Sequence, residues 1–147
     1  MEVSNRRDVL NSLKSALESI STARGYQSDV QEVRRGVYSY EQMLSRPALC
    51  FFNTSATTEV FSMSGKSERT LDITIRGYVD ITEDGNYDPL DKLIADVEKL
   101  LMTPDEWAWQ GWTQVKNLRI FEGLLADNVG VFEMDVQVTY HYDWTSS

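Results

Sequence analysis

The sequence predicts an α+β fold: one domain over residues 1–147, with a mainly antiparallel mixed sheet of about five strands packed against two amphipathic helices. A chain of 147 residues suits a single domain with one core. Apolar residues recur at helical spacing in two segments, and at alternate positions in most of the remaining chain. The predicted order is helix, three or four strands, helix, two strands, and a sheet that buries one face under both helices accommodates this order best.

The first helix is predicted from about Asn5 to about Ala23, because apolar side chains there recur on one face. The stripe consists of Leu10, Leu13, Leu17 and Ile20. Ser4 or Asn5 can cap the N-terminus, and Arg24-Gly25 provides a C-terminal stop signal. We therefore expect a helix with one buried face.

Residues 26–47 are predicted to form an extended arm or loop that includes a short strand near Val30–Val37. The apolar run PALCFFN and the segment TTEVFSMSG are both typical of strands. Ser64-Gly65-Lys66 can close a hairpin between the second of these strands and the next one.

A long strand is predicted over residues 69–82, where apolar and polar residues alternate. Its apolar row consists of Leu71, Ile73, Ile75, Val79 and Ile81. Gly77 interrupts this row, which indicates a bulge or a close approach of another group to the backbone.

The second helix is predicted over 88–102, with Asp88 as N-cap and Pro89 at the first helical position. Its apolar stripe consists of Leu90, Leu93, Ile94, Val97 and Leu101. A loop containing DEWAWQGW follows, and then strands near 115–122 and 131–143.

Composition limits the classes of function. The net charge of −9 disfavours a protein that binds nucleic acid tightly, because such proteins place Lys and Arg against phosphates. No apolar run reaches the roughly 18 residues that a membrane span needs, and the N-terminus lacks the apolar region of a signal peptide. The single cysteine, Cys50, is expected to pack as a small apolar residue in a reducing, intracellular protein.

The last strand contains the only histidine and has an acidic row that includes Asp135, His141 and Asp143. Side chains two residues apart on one strand face start roughly 7 Å apart, which is too far for His141 and Asp143 to hold one ion alone. No serine or cysteine is linked to His141 by a recognisable motif. We therefore interpret the row as strand surface that faces solvent, a neighbouring subunit or a DNA channel, and we predict no catalytic residue.

The segment DITEDGNYD resembles a calcium-binding loop only loosely. Asp80, Asp84, Asn86 and Asp88 offer oxygen donors, but the regular spacing and the closing glutamate of such a loop are missing. A turn followed by a helix cap explains the same residues. We therefore predict no metal site and no cofactor.

Two groups of residues are candidates for contacts with a partner. Arg34 and Arg35 are a basic pair with no phosphate-binding loop beside them, so an acidic partner or another copy of the chain is the expected contact. Trp107, Trp109 and Trp112 either form an interface or cover the core of their own domain, and the sequence leaves both alternatives open.

The segment GYQSDVQEVRRGVYSYEQMLSRPAL, residues 25–49, carries a resemblance to a known family. A helix, a Gly-Tyr pair, an Asp-Val pair, a strand with Arg-Gly and a polar spacer lead into an Arg-Pro-Ala-Leu strand start. This order resembles that of the tail terminator or tail-completion (neck) proteins of long-tailed bacteriophages. The later alternating strand, the helix at 88–102 and the closing VTYHYDW strand agree with it.

The resemblance implies a structural virion protein with no enzymatic activity, assembled in the host cytoplasm. A homo-oligomeric ring, expected to be a hexamer, would cap the tail tube, stop its growth and provide the docking surface for the head connector. A contractile tail would add contact with the sheath, and DNA would pass through the ring without specific binding. Two alternatives remain, a head-completion or other neck protein and a small metal-dependent or acid/base enzyme that uses His141.

Overall fold

The described part of the chain folds into a five-stranded mixed sheet with two helices on one side, in agreement with the predicted α+β class. The computed structural model describes residues 5–60, 66–103, 105–123, 126 and 128–143. The helices are α1 (Arg6–Glu18) and α2 (Asp88–Met102); the strands are β1 (Glu32–Arg35), β2 (Ala48–Val60), β3 (Lys66–Asp80), β4 (Thr113–Glu122) and β5 (Val129–Asp143). The strand order is β1-β2-β3-β5-β4; β1 runs parallel to β2, and the other neighbours are antiparallel.

Helix α1 begins with a capping box and ends earlier than predicted. The Asn5 side chain accepts a hydrogen bond from the Asp8 backbone N–H at 2.9 Å, and the Asp8 carboxylate accepts one from Asn5. At the other end the Ser19 hydroxyl donates to the Ala16 carbonyl at 2.6 Å. The chain leaves the helix there, forms a 3-10 turn over Thr22–Arg24 and reverses at Gly25, whose φ of 91° favours glycine.

Helix α2 has the predicted length, but its N-cap is one residue earlier than expected. Tyr87 occupies the N-cap position, so Asp88 is the first helical residue and Pro89 the second. The Asn86 side chain accepts a hydrogen bond from the Asp88 N–H at 3.1 Å. This bond satisfies the N–H of the first helical residue, while the N-cap residue Tyr87 provides no side-chain acceptor.

The two short strands predicted after Pro47 are one continuous strand, β2. The pairing with β3 shifts register between Asn53 and Ser55, which explains why the alternation is interrupted there. The Asn53 side-chain amide donates to the carbonyls of Ser55 and Asp72, both at 2.8 Å, and so fills the gap in the ladder. Of the predicted hairpin turn, Ser64 and Gly65 lie outside the described residues.

Gly77 has the close neighbour that the sequence predicts. It pairs directly with Phe132 of β5, and the Phe132 ring lies over it. A Cβ atom at Gly77 would be 2.2 Å from Phe132 Cε1, which is far inside the contact distance. The glycine is therefore required by the packing of the ring.

The main core lies between the helices and the sheet. Helix α1 packs over β1, and α2 packs over β3 and β5 and also contacts β4. The core includes both predicted helix stripes and the predicted apolar row of β3. On β4, Leu118 and Ile120 pair with the core residues Met134 and Phe132 but remain 36% and 45% exposed. The helix layer therefore covers the β4 edge of the sheet only in part.

The predicted arm at 26–47 does not extend from the domain. Its second half, residues 36–46, which we call the strap, packs on the sheet face opposite the helices. The buried apolar cluster under it consists of Met43, Ala48, Cys50, Tyr78, Val129 and Val131. Tyr78 donates its hydroxyl hydrogen to the Tyr38 carbonyl at 2.7 Å, and Asp80 accepts from Arg46 at 2.7 Å. Cys50 is buried as expected.

Candidate functional site

The acidic row of β5 lies on the sheet face opposite the helices, next to the area that the strap covers. Burial alternates along β5, with Phe132, Met134 and Val136 buried and the intervening residues half-buried. We call this region the polar sheet face. Its described residues are Glu68, Thr70, Asp72, Thr74, Arg76, Arg119, Glu133, Asp135, Gln137, Thr139 and His141.

Two arginines from neighbouring strands neutralise the acidic row. Arg119 of β4 donates to both Asp135 oxygens, at 2.6 and 3.1 Å, and to Glu133 at 3.1 Å. Arg76 of β3 donates to Glu133 from the other side at 2.7 Å, and the Thr74 hydroxyl donates to Asp135 at 2.9 Å. Arg119 thus bridges both carboxylates, one of them bidentately. The partners of Asp135 and Glu133 belong to the same chain.

The arginines also lower the pKa values of the two carboxyl groups. Burial alone would raise the pKa of Glu133, but hydrogen bonds from Arg76 and Arg119 outweigh it. At Asp135 the hydrogen bonds from Arg119 are the largest effect and lower the pKa; burial opposes them and Thr74 assists them. Both groups are therefore ionised at neutral pH and act as anchors for arginine.

His141 lies at the far end of the polar sheet face, in a loose environment. Its Nε2 is 4.0 Å from a Glu68 oxygen, and its ring centre is 6.0 Å from that of Trp112. Trp112 lines a shallow cleft of about 240 Å³ with Glu68, Thr70 and polar residues of β4 and β5. The side chain of Asp143 lies outside the described residues, so its predicted place beside His141 stays a prediction.

The described residues contain no group of three or more His, Cys, Asp or Glu side chains placed to hold a metal ion. In the loose calcium-like segment, Asp80 accepts from the Tyr40 hydroxyl at 2.8 Å and from Arg46 at 2.7 Å. Asn86 and Asp88 begin α2. These residues have structural partners that fix the strap and the helix.

The three tryptophans divide between the core and the surface. Trp107 is 2% exposed, and its Nε1–H donates to the Thr113 hydroxyl at 2.9 Å. Trp109 packs against Trp107 with ring centres 5.2 Å apart and is half-buried. Trp112 is 44% exposed. Trp107 therefore belongs to the core and must be removed from the candidate interface, because it has no free surface; Trp112 remains a candidate.

Arg34 and Arg35 are exposed on β1, at one edge of the sheet. Arg34 is paired with Glu32 on the same strand and lies over the Tyr38 ring, with 5.3 Å between its guanidinium carbon and the ring centre. The Glu32 carboxylate also accepts from the Ser45 N–H at 3.1 Å, which joins β1 to the strap.

A cleft of about 780 Å³ lies between α1 and β1 and includes both arginines, Lys14 and Glu18. Sequence reasoning did not find it, because Lys14 is far from Arg34 in the chain. Sequence reasoning also missed Arg76 and Arg119. Their positions on the polar rows of their strands were a usable signal, but only the strand order shows that they meet Glu133.

The arrangement offers surface features that can contact another macromolecule. It combines neutralised ion pairs, an exposed tryptophan and a basic cleft at a sheet edge. Neither helix is long and apolar enough to cross a membrane in the part of the chain that the structure describes. No family model and no curated protein matches the sequence.

Proposed function

We propose that the chain is a structural protein of a long-tailed bacteriophage that forms a ring at the head-proximal end of the tail. The ring, expected to contain six copies, stops growth of the tail tube and offers a docking surface to the head connector. It is assembled in the host cytoplasm and remains in the virion. In a contractile tail it also meets the end of the sheath.

The observation that carries this proposal is the continuous element formed by residues 25–49, the segment on which the resemblance depends. Gly25 reverses the chain, β1 follows at the sheet edge, the strap crosses the opposite face, and Ala48 begins β2. A helix, an edge strand, a spacer and the start of a further strand follow one another, which supports the order on which the resemblance depends. This support is architectural, since no catalytic group enters it.

Charge supports the same function. A net charge of −9 makes the chain repel a polyanion, which suits a ring through which DNA passes without binding. A ring also needs two different complementary surfaces on each protomer. Arg34 and Arg35 can contribute to one of them, chiefly through Arg35, because Arg34 is paired with Glu32 of its own strand. The row of Glu133 and Asp135 is a poor counterpart, because both carboxylates already bind arginines of their own chain.

Cross-linking mass spectrometry of intact phage particles tests the proposal. Exposed lysines such as Lys92 and Lys116 provide attachment points. We expect cross-links between copies of the chain, to the tail tube subunit and to the connector. Cross-links to head proteins but none to the tube would indicate a head-completion protein instead. Absence of the chain from purified particles would contradict both functions.

Assembly in the absence of the chain provides a second readout. We expect headless tubes of uncontrolled length, and addition of the purified chain should restore joining to heads. The variant His141→Ala serves as a matched control and should restore joining as well as the wild type. If tails of normal length still join heads without the chain, the proposal fails.

A further inference from the structure

We propose that neighbouring copies join head to tail through the two edges of the sheet. The basic α1–β1 cleft of one copy receives the β4 edge and the adjoining flank of α2 of the next copy. This inference rests on the proposed ring and names the surfaces that form it.

The β4 edge presents apolar surface that its own chain leaves uncovered. Leu118 and Ile120 lie on the helix side of the sheet, 36% and 45% exposed, and Met102 at the end of α2 is 51% exposed. Between residues 117 and 122 the pairing of β4 with β5 is regular, and the irregularity lies nearer the start of the strand, between Val115 and Asn117. A regular, partly apolar edge strand is a template for further strand pairing.

The flank of α2 on this side of the molecule is acidic. Asp96 and Lys99 mark the opposite flank, because they bond to the backbone of Gln27 and Gly25 in the connection from α1 to β1. At about 3.6 residues per turn, Asp91, Glu98 and Met102 lie on the flank away from that connection, and all three are exposed. Two carboxylates therefore accompany the apolar edge and outnumber the exposed Lys116 of β4.

The other edge of the sheet has the opposite charge. The α1–β1 cleft of about 780 Å³ is lined by Lys14, Arg34 and Arg35, against the carboxylates of Glu18 and Glu32. Glu32 and Arg34 neutralise each other, so Lys14 and Arg35 against Glu18 leave the cleft with a small positive excess. The apolar lining of the cleft on the helix side includes Val30 and Val33, which Leu118 and Ile120 can meet. Basic cleft and acidic flank are thus complementary.

Charge also selects the pairing of unlike edges. A contact between the β1 edges of two copies would place Arg34 and Arg35 of one copy near the same arginines of the other. A contact between two β4 edges would bring Asp91 and Glu98 of the two copies together. Like charges placed opposite each other disfavour both symmetric pairings. A contact between unlike edges is heterologous, and a heterologous contact forms a closed ring when the rotation between neighbouring copies is a whole fraction of a turn.

A mixing experiment with two edge variants tests the inference. The cleft variant is Lys14→Glu with Arg35→Glu, and the β4 variant is Leu118→Lys with Ile120→Lys. Each variant alone should self-associate more than about tenfold more weakly than the wild type, measured by native mass spectrometry and sedimentation velocity. Lys92→Glu, a charge reversal on the α1-facing flank of α2, is the control and should assemble normally. Unchanged circular dichroism shows that each variant is folded.

Each variant retains one intact edge, so an equal mixture should form a heterodimer that grows no further. The cleft variant mixed with Asp91→Lys/Glu98→Lys should also pair through the intact edges, and growth of this mixture beyond the heterodimer would support the assigned charge pairing, because it requires contact between the two charge-reversed surfaces. The edge contact is wrong if the cleft variant still self-associates through β4, or if both variants assemble as strongly as the wild type. Neither result contradicts the proposed ring. Wild-type chain that stays monomeric, both free and with purified tail tubes, contradicts the ring itself.

Discussion

The pair formed by Gly77 and Phe132 shows how one residue determines the packing between two central strands. Phe132 is completely buried, and its ring occupies the space in which a side chain at position 77 would lie. An aromatic ring laid over a glycine on the neighbouring strand compensates for the missing side chain. Because the ring is enclosed by core residues, it cannot move aside at low cost.

We predict that Gly77→Ala destabilises the protein by roughly 1–3 kcal/mol, because the new methyl group overlaps the Phe132 ring. Chemical denaturation followed by circular dichroism measures the change in the free energy of unfolding. The added cost of Gly77→Ala should shrink in a Phe132→Leu background, since the overlapping ring atoms are then absent. Gly111→Ala is the control, because a Cβ there meets nothing within 4 Å. Equal effects at the two glycines would contradict the steric explanation.

The three tryptophans show that the burial of a loop residue cannot be predicted from its type alone. Trp107 and Trp112 lie five positions apart in one loop, yet one is 2% exposed and the other 44%. A loop has no hydrophobic periodicity, so the sequence offers no rule that assigns one of its side chains to the core. The hydrogen bond from Trp107 to Thr113 makes the difference, and it depends on the start of β4.

At the scale of elements, periodicity predicted those helices and strands that bury one continuous face. Both helix stripes and the apolar row of β3 are in the core as expected, and the described core residues of β5 are Phe132, Met134, Val136, Val138 and Tyr140. The interrupted elements were predicted less well. Helix α1 ends at Glu18 because Ser19 bonds back to Ala16, and β2 passes through a register shift that divides its pattern. The order of the strands in the sheet could not be predicted from the sequence. The arginine partners of Glu133 and Asp135 could therefore not be predicted either, because they lie on neighbouring strands.

The network of Arg76, Arg119, Glu133 and Asp135 should make stability depend on acidic pH. The folded state lowers the pKa of both carboxyl groups below their ordinary values of about 4. Their stabilising contribution is therefore complete above that pH and is lost as pH falls through the lowered values. We expect about 1 kcal/mol from each carboxylate after allowing for solvent at the half-exposed Asp135.

Thermal unfolding between neutral pH and about pH 2 measures this contribution. In Arg119→Gln the melting temperature should be lower at neutral pH and should fall less on acidification, because Asp135 loses its bidentate partner. The matched control is Arg7→Gln, on the exposed side of α1, which should follow the wild-type profile. A wild-type slope in Arg119→Gln would show that other carboxylates determine the acid sensitivity.

At the scale of the whole molecule, the protein protects the centre of its sheet and leaves the edges open. Helices cover one face over β1, β3 and β5, and the strap covers part of the other face. In the described part of the chain, β1 and β4 each have a strand partner on one side only. A monomer with two such edges is suited to the proposed joining of copies, in which unlike charges would specify the order.

Amide hydrogen exchange should reveal this gradient of stability and its change on assembly. In the free chain, amides of β3 and β5 should exchange slowest, because each strand is bonded on both sides and packed in the core, whereas β1 and β4 should exchange faster. When copies assemble, protection should rise at 32–35 and 117–122, while the polar sheet face between them gains little. Mass spectrometry of peptides before and after assembly measures both effects. Protection that rises evenly over the sheet would indicate an overall gain in stability and not an edge contact. A rise at only one edge would indicate contact between like edges and would contradict the head-to-tail arrangement.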